Sequence, residues 1–242
     1  MMIKKMSIFL LLCLPMMSCT PEGMKILTDV LAAGGTEALT TEQISMGLKE
    51  ALTNGISKGA DLVSKTDGYY KNQEIKLLFP PQAKKIEQKL ADFGLSSLTD
   101  QMVEKLNRAA EDAAKEAKPI FVSAIRSMTI ADATNILMGG DNTAATSYLR
   151  KTTSDALYSK FNPVVMNSLK KVKALDYWDD IVNRYNKIPF VEKINPDIND
   201  YVTQKAMDGL FTMIEKEEGL IRKDPIARTT DLLKKVFAKQ DK

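Results

Sequence analysis

The stretch TTEQISMGLKEALTNGISKG, residues 40–59, decides the fold. Ile44, Leu48, Leu52 and Ile56 recur every four residues, which is the period of one helix face and not the alternation of a strand. Thr40 or Thr41 stands where a helix cap belongs, and Gln43 follows Thr40 at the spacing of a capping box. Beside the apolar stripe runs a second line, Gly47, Ala51, Gly55 and Gly59, also four apart. Each of the three glycines costs a helix about 1 kcal/mol against alanine, so something must offset them. Close packing of another helix along this ridge of small residues would do so. A ligand lying against the bare backbone is the functional alternative.

The same spacing of three and four continues outward along the chain, while glycine and proline together are only 21 of 242 residues. The fold class expected is all-α: a single compact multi-helix domain of about ten helices, with no repeat at a fixed period. Helices are expected over residues 82–93, from Leu98 into Ala109–Ala117, and from Pro119 through Phe121, Ile125 and Met128. Thr129 with Asp132 should cap another that ends at Gly139-Gly140. Further helices are expected over 142–161, 163–173, 176–186, from Pro196 or Asp197 to Arg222, and from Pro225 to Ala238. Thr66-Asp67-Gly68 reads as a turn. Residues 69–81 have no helical period, and Ile75-Lys76-Leu77 alternates ahead of Pro80-Pro81, so the stretch is expected extended or looped, with a short extended hairpin as one form of it.

The leader sets the expected address. Lys4-Lys5, an apolar run over residues 6–15 and Ser18-Cys19 form the charge, core and small-residue pattern of an export signal, too short to span a bilayer. A cysteine at that point resembles the bacterial lipoprotein signal, which implies that Cys19 carries the acyl chains and becomes the first residue. Several chains on one residue anchor firmly where a single chain is marginal. The expected division is a lipoprotein signal peptide over 1–18, a tether with a short helix over 19–40, and the helical domain over 41–242. Thr20 is not an aspartate, which by analogy with enteric sorting favours the periplasmic face of the outer membrane. The membrane, reached through Cys19, is then one partner, and a protein or small-molecule partner is left open.

Composition narrows the chemistry. Histidine is absent and the cysteines are Cys13 and Cys19 alone, which removes His-dependent triads, imidazole zinc sites and a disulfide framework from the folded part. Loss of the leader leaves 32 basic and 31 acidic residues. This even balance carries no nucleic-acid footprint. No metal and no cofactor is expected.

Five blocks are distinctive: Gly47-Leu48-Lys49-Glu50-Ala51-Leu52; Lys118-Pro119-Ile120-Phe121 with Ser127-Met128-Thr129-Ile130; Gly139-Gly140-Asp141 with Tyr148-Leu149-Arg150-Lys151-Thr152-Thr153; Asp200-Tyr201-Val202-Thr203 with Gly209-Leu210-Phe211; and Pro225-Ile226-Ala227-Arg228-Thr229-Thr230. In this order, across roughly Glu42 to Phe237, they resemble a bacterial domain-of-unknown-function family, the one numbered 4197. The resemblance implies an exported, often lipidated helical domain and carries over no catalytic residue.

Several constellations are candidate sites. Arg150, Thr152 and Thr153, and likewise Arg228, Thr229 and Thr230, pair a guanidinium with two hydroxyls on segments expected to be helical. If they converge they make a donor-rich site for a carboxylate or phosphate; the structural alternative is helix caps and Arg–carboxylate pairs within the chain. Gly139-Gly140-Asp141-Asn142-Thr143 precedes a helix and reads as one helix's end and the next one's cap. Asn195, Asp197 and Asn199 occupy calcium-loop positions, but the glycine and the closing glutamate of such a loop are missing. Asp176, Asp179 and Asp180 share one helix turn, where acids suit the helix dipole. Glu218 and Arg222 read as a surface pair at spacing four. The aromatics Tyr177, Trp178, Tyr185, Phe190, Tyr201 and Phe211 are expected in the core. The function these features suggest is a non-enzymatic, lipid-anchored envelope protein that binds a partner protein or an apolar or anionic envelope component. The alternative is a carboxylate-dependent hydrolase acting on an envelope polymer.

Overall fold

The computed structural model describes residues 40–139, 141–193 and 197–238. The leader, Cys19, the tether, Gly140 and Asn195 lie outside the described residues. Within them are nine α-helices, two 3-10 turns and no strand. The helices are α1 (Thr41–Val63), α2 (Lys84–Asp92), α3 (Ser96–Ala114), α4 (Ala117–Ser127), α5 (Ile130–Met138), α6 (Ala144–Lys171), α7 (Ala174–Asn186), α8 (Ile198–Lys223) and α9 (Asp231–Phe237).

Local chemistry explains the starts of α1 and α5. The Thr40 hydroxyl accepts the Gln43 N–H while the Gln43 side chain accepts the Thr40 N–H, and Thr129 with Asp132 repeats the arrangement. Each box satisfies donors that a helix start otherwise leaves open. The small ridge of α1 meets α8 and α9. A methyl added to Gly47 would stand 2.6 Å from a Val236 methyl, one on Gly55 would stand 3.3 Å from Ile221 Cδ1, and one on Gly59 would stand 3.7 Å from the Met213 and Ile214 backbone. Packing at this range recovers in dispersion what the glycines cost in helix propensity.

The core is built around α8. Its most extensive contact is with α6, followed by α1, and α3 packs on both α6 and α8. Val202, Ala206, Leu210, Phe211 and Ile214 form the buried face of α8, and Phe211 meets Phe121 of α4 edge to face with ring centroids 5.6 Å apart. No single described helix is long and apolar enough to cross a membrane.

Four expectations are corrected. First, residues 69–81 form no hairpin. The chain winds through turns to Ile75, and residues 76–80 have no regular structure and no partner strand. The backbone groups of Leu77 are taken by a side chain: Asn107 Oδ1 accepts its N–H at 2.9 Å and Asn107 Nδ2 donates to its carbonyl at 2.8 Å. A buried asparagine thus does the work of a neighbouring strand. Second, α6 runs unbroken through Pro163 where two helices are expected. Leu149, Leu157, Phe161, Val165 and Leu169 make one buried line on both sides of the proline, and that burial outweighs the lost backbone bond. Third, α9 begins at Asp231, since Pro225–Ala227 is a 3-10 turn and Thr230 is the N-cap, accepting the Leu233 N–H. Fourth, the aromatics divide. Trp178, Tyr185 and Phe211 are buried, Tyr177 and Tyr201 are half-buried, and Phe190 is fully exposed.

Candidate functional site

The Glu218–Arg222 pair is not a surface pair. Both side chains are buried, and the Glu218 carboxylate holds Arg222 Nε and Nη2 at 2.9 and 2.8 Å. It also accepts the backbone N–H groups of Ala145 and Thr146 and the Thr146 hydroxyl, at 3.0, 2.8 and 2.7 Å. The start of α6 therefore has an anion bound to it, supplied by the chain itself 72 residues away. That is why Thr143, at the N-cap position, needs no capping bond from its own side chain. Arg222 reaches on to the Ile136 carbonyl of α5, so this pair ties the ends of α5, α6 and α8 together. Asp141 instead accepts the Thr143 N–H first and its hydroxyl second, which hold its carboxyl below the ordinary aspartate range.

The two arginine blocks do not converge. Arg150 is half-exposed, pairs with Asp208 at 3.4 Å and lies over the Phe211 ring. Arg228 is buried, donates to the carbonyls of Ile221 and Arg222 at 3.0 Å each, and lies over the Phe237 ring. These anchor points stand about 15–20 Å apart along α8. Arg228 lies in an extended connector and not in a helix. Its guanidinium closes the C-terminal carbonyls of α8, where a cation also suits the dipole. Thr229 is exposed and Thr230 caps α9. Thr152 and Thr153 turn their hydroxyls back onto Tyr148 and Leu149 carbonyls of their own helix, which is how α6 tolerates them.

Two grooves remain as candidate sites. The larger, about 680 Å³, lies between α4 and α6, with Ile120, Ala124, Ala156 and Tyr148 along it and Thr152 and Thr153 in its wall. The smaller, about 320 Å³, lies between residues 74–84 and α8. Its lining is polar and apolar in nearly equal parts: Leu78, Gly209 and the edges of Ile75, Leu77 and Phe79 supply the apolar share, while Lys76, Lys84 and Lys205 bring ammonium groups to it. Its two carboxylates are engaged, Glu74 by Lys216 and Asp208 by both Arg150 and Lys205. Its lining thus carries three lysines against two carboxylates, one positive charge in excess. Arg150 meets this groove only through Asp208, without the residues expected beside it.

The walls of this groove are rigidly built. Tyr69 is buried against Gly209, where an added methyl would stand 2.6 Å from its Cε1, and its hydroxyl donates to the Ala206 carbonyl at 2.6 Å. Burial first, then the charges of Glu111 and Asp208, push that phenol far up and keep it protonated. Glu111, buried, accepts the N–H groups of Tyr69 and Tyr70, and Arg108 bridges it to Asp67. Lys71 and then Arg108 hold the Asp67 carboxyl below the ordinary range. None of Lys76, Lys84, Lys205, Asn107 or Glu111 stood out in the sequence. They come from segments far apart, and only folding puts them round one groove.

Of the remaining candidates, Asp176, Asp180 and Asp197 take structural places. Asp176 lies in the first turn of α7, and Asp180 pairs with Arg184 at 2.8 Å. Asp197 caps α8 by accepting the Asp200 N–H. Among the described residues no three acidic side chains are grouped so as to hold a metal ion. No curated protein and no solved structure is significantly similar to the chain. A family model described as "Protein of unknown function (DUF4197)" matches residues 38–238. That match covers most of the sequence, and the chain belongs to this family.

Proposed function

We propose that the protein is a lipid-anchored component of the bacterial cell envelope, held through Cys19 at the periplasmic face of the outer membrane, whose helical domain binds an anionic envelope component with an apolar part. The observation that carries the binding reading is the groove between residues 74–84 and α8, half apolar and bordered by Lys76, Lys84 and Lys205. A carboxylate or phosphate would pair with the ammonium groups while the apolar part covers the exposed Leu78. The anchor is supported by the leader pattern ending at Cys19.

Native mass spectrometry of the protein extracted from its own membrane tests both parts. The expected result is a diacyl or triacyl mass on Cys19 together with an anionic adduct that disappears in Lys84→Glu/Lys205→Glu. An unmodified Cys19, or retention of the Cys19→Ser variant in salt-washed membranes, overturns the anchor. An adduct indifferent to the two charge reversals overturns the groove. One observation favours the hydrolase reading, namely that Glu74 and Asp208 both line this groove. Under that reading Glu74→Gln and Asp208→Asn abolish turnover of an envelope polymer while leaving the adduct bound.

A further inference from the structure

The segment Lys187-Ile188-Pro189-Phe190-Val191-Glu192-Lys193 joins α7 towards α8, and at its tip Phe190 stands fully exposed with a left-handed backbone, φ 63°. Both features run against folding. A left-handed conformation crowds the Cβ of any residue that has one and is a genuine outlier for a bulky side chain. A phenyl ring wholly in water forgoes its burial. Inside the fold Phe190 gains nothing that offsets either cost, which directs attention to something outside it.

The surroundings say what kind of surface that is. Lys187 and Lys193 flank the tip and are exposed. A small groove of about 290 Å³ beside it is lined by Lys85, Lys89, Tyr185, Val191 and Phe190 itself, with Asp92 and Glu192 as its acids. Its two lysines match its two acids, with Asp92 paired to Lys89 at 3.6 Å, so the excess of positive charge at the tip is that of Lys187 and Lys193. Phe93, next to Asp92 at the end of α2, is a second exposed ring. A projecting apolar tip ringed by long, flexible ammonium groups matches a bilayer surface, where a ring enters the acyl boundary and lysines meet phosphates at headgroup level. A protein receptor would instead need a pocket shaped to one ring.

We propose that the 187–193 loop is a second membrane contact, docking on anionic phospholipid with Phe190 inserted between headgroups. It takes its opportunity from the envelope location proposed above, but its chemistry is independent of Cys19 and of the lysine-lined groove.

The test uses the full chain carrying Phe190→Trp, mixed with vesicles of brominated phosphatidylcholine with or without phosphatidylglycerol. The wild-type chain, whose single tryptophan Trp178 is buried, supplies the background. Quenching of the new indole well above that background is expected with phosphatidylglycerol present. It should fall towards background in uncharged vesicles, in high salt, and in Lys187→Glu/Lys193→Glu. Each lysine near an anionic surface is worth roughly fivefold in binding, from about 1 kcal/mol apiece. Background-level quenching on anionic vesicles, or equal quenching on both compositions, overturns the proposal. So does an indole shielded in intact envelopes but untouched by brominated lipid, because the occupant is then a protein. Flotation on the uncharged vesicles, where the loop is not expected to bind, reads the Cys19 anchor separately, so failure of the loop and failure of the anchor are told apart.

Discussion

Replacing Glu218 with glutamine removes one charge from the most interconnected buried point of the molecule. Five hydrogen bonds end on that carboxylate: two from Arg222, two from the α6 backbone and one from Thr146. Glutamine keeps one acceptor oxygen and turns an NH2 group towards donors. Arg222, buried, loses the anion that offsets its charge, a loss of about 3–5 kcal/mol for a pair broken on one side. Weakened capping of α6 adds about 1 kcal/mol. For a domain near 200 residues each kcal/mol is worth about 2–4 °C, so the melting temperature should fall by roughly 10–20 °C. Thermal unfolding followed by circular dichroism reads this directly. The double variant Glu218→Leu/Arg222→Leu should be more stable than the sum of its single changes by about 2–3 kcal/mol, because removing both charges leaves neither one buried alone. A fall under about 3 °C for Glu218→Gln, which is under about 2 kcal/mol, or strict additivity in the cycle, would refute the claim that this junction holds α5, α6 and α8 together.

Gly209→Ala places a methyl 2.6 Å from Tyr69 Cε1 and 3.1 Å from Ile75 Cβ; it should cost about 1–3 kcal/mol and loosen the wall of the lysine-lined groove, read as a lower urea midpoint and faster amide exchange over residues 69–77. Arg228→Met keeps the length of the side chain but leaves the Ile221 and Arg222 carbonyls without their guanidinium donor; a loss of about 2–4 kcal/mol is expected, with Arg228→Lys intermediate, and an unchanged urea midpoint would sink the capping role. Acid should destabilise the fold in a defined window. Lys71 and Arg108 at Asp67, the Thr129 hydroxyl and N–H at Asp132, and the Thr143 N–H and hydroxyl at Asp141 hold all three carboxyls below the ordinary value of 3.8. Depressed values stabilise the folded chain above the unfolded value, and this contribution is lost as pH falls through the folded ones. The urea midpoint should therefore hold near neutral pH and drop below about pH 4, less steeply in Asp132→Asn, whereas a flat profile down to about pH 2.5 would contradict the assignment.

What could be read in the sequence was local. The capping boxes at Thr40 and Thr129 each lie within four residues, and the helix that carries Leu48, Leu52 and Ile56 follows from period alone. Such features involve side chains and backbone that meet as soon as one turn forms, so no knowledge of distant neighbours is needed. Pro163 shows the limit of local reasoning. Its steric effect argues for a break, yet a buried line from Leu149 to Leu169 keeps α6 whole, and the strength of that line depends on what packs against it.

The candidate sites were decided at longer range. Similar Arg-Thr-Thr segments at 150–153 and 228–230 left open one shared site or separate caps and ion pairs, and folding takes the second course, drawing Arg150 to Asp208 and Arg228 to the end of α8. Glu218 and Arg222, four apart on a helix, look like a surface pair until α6 places its open N–H groups against them. Phe190 looks like core until its neighbours close without it. By itself the sequence determined the helical class, the capped starts and the small ridge of α1, because each depends on spacing along one segment. Tertiary structure decided which polar groups are buried, which arginine meets which acceptor, and where lysines from distant segments gather. Those outcomes depend on desolvation and on contacts between segments far apart in the chain, which no periodicity within one segment encodes.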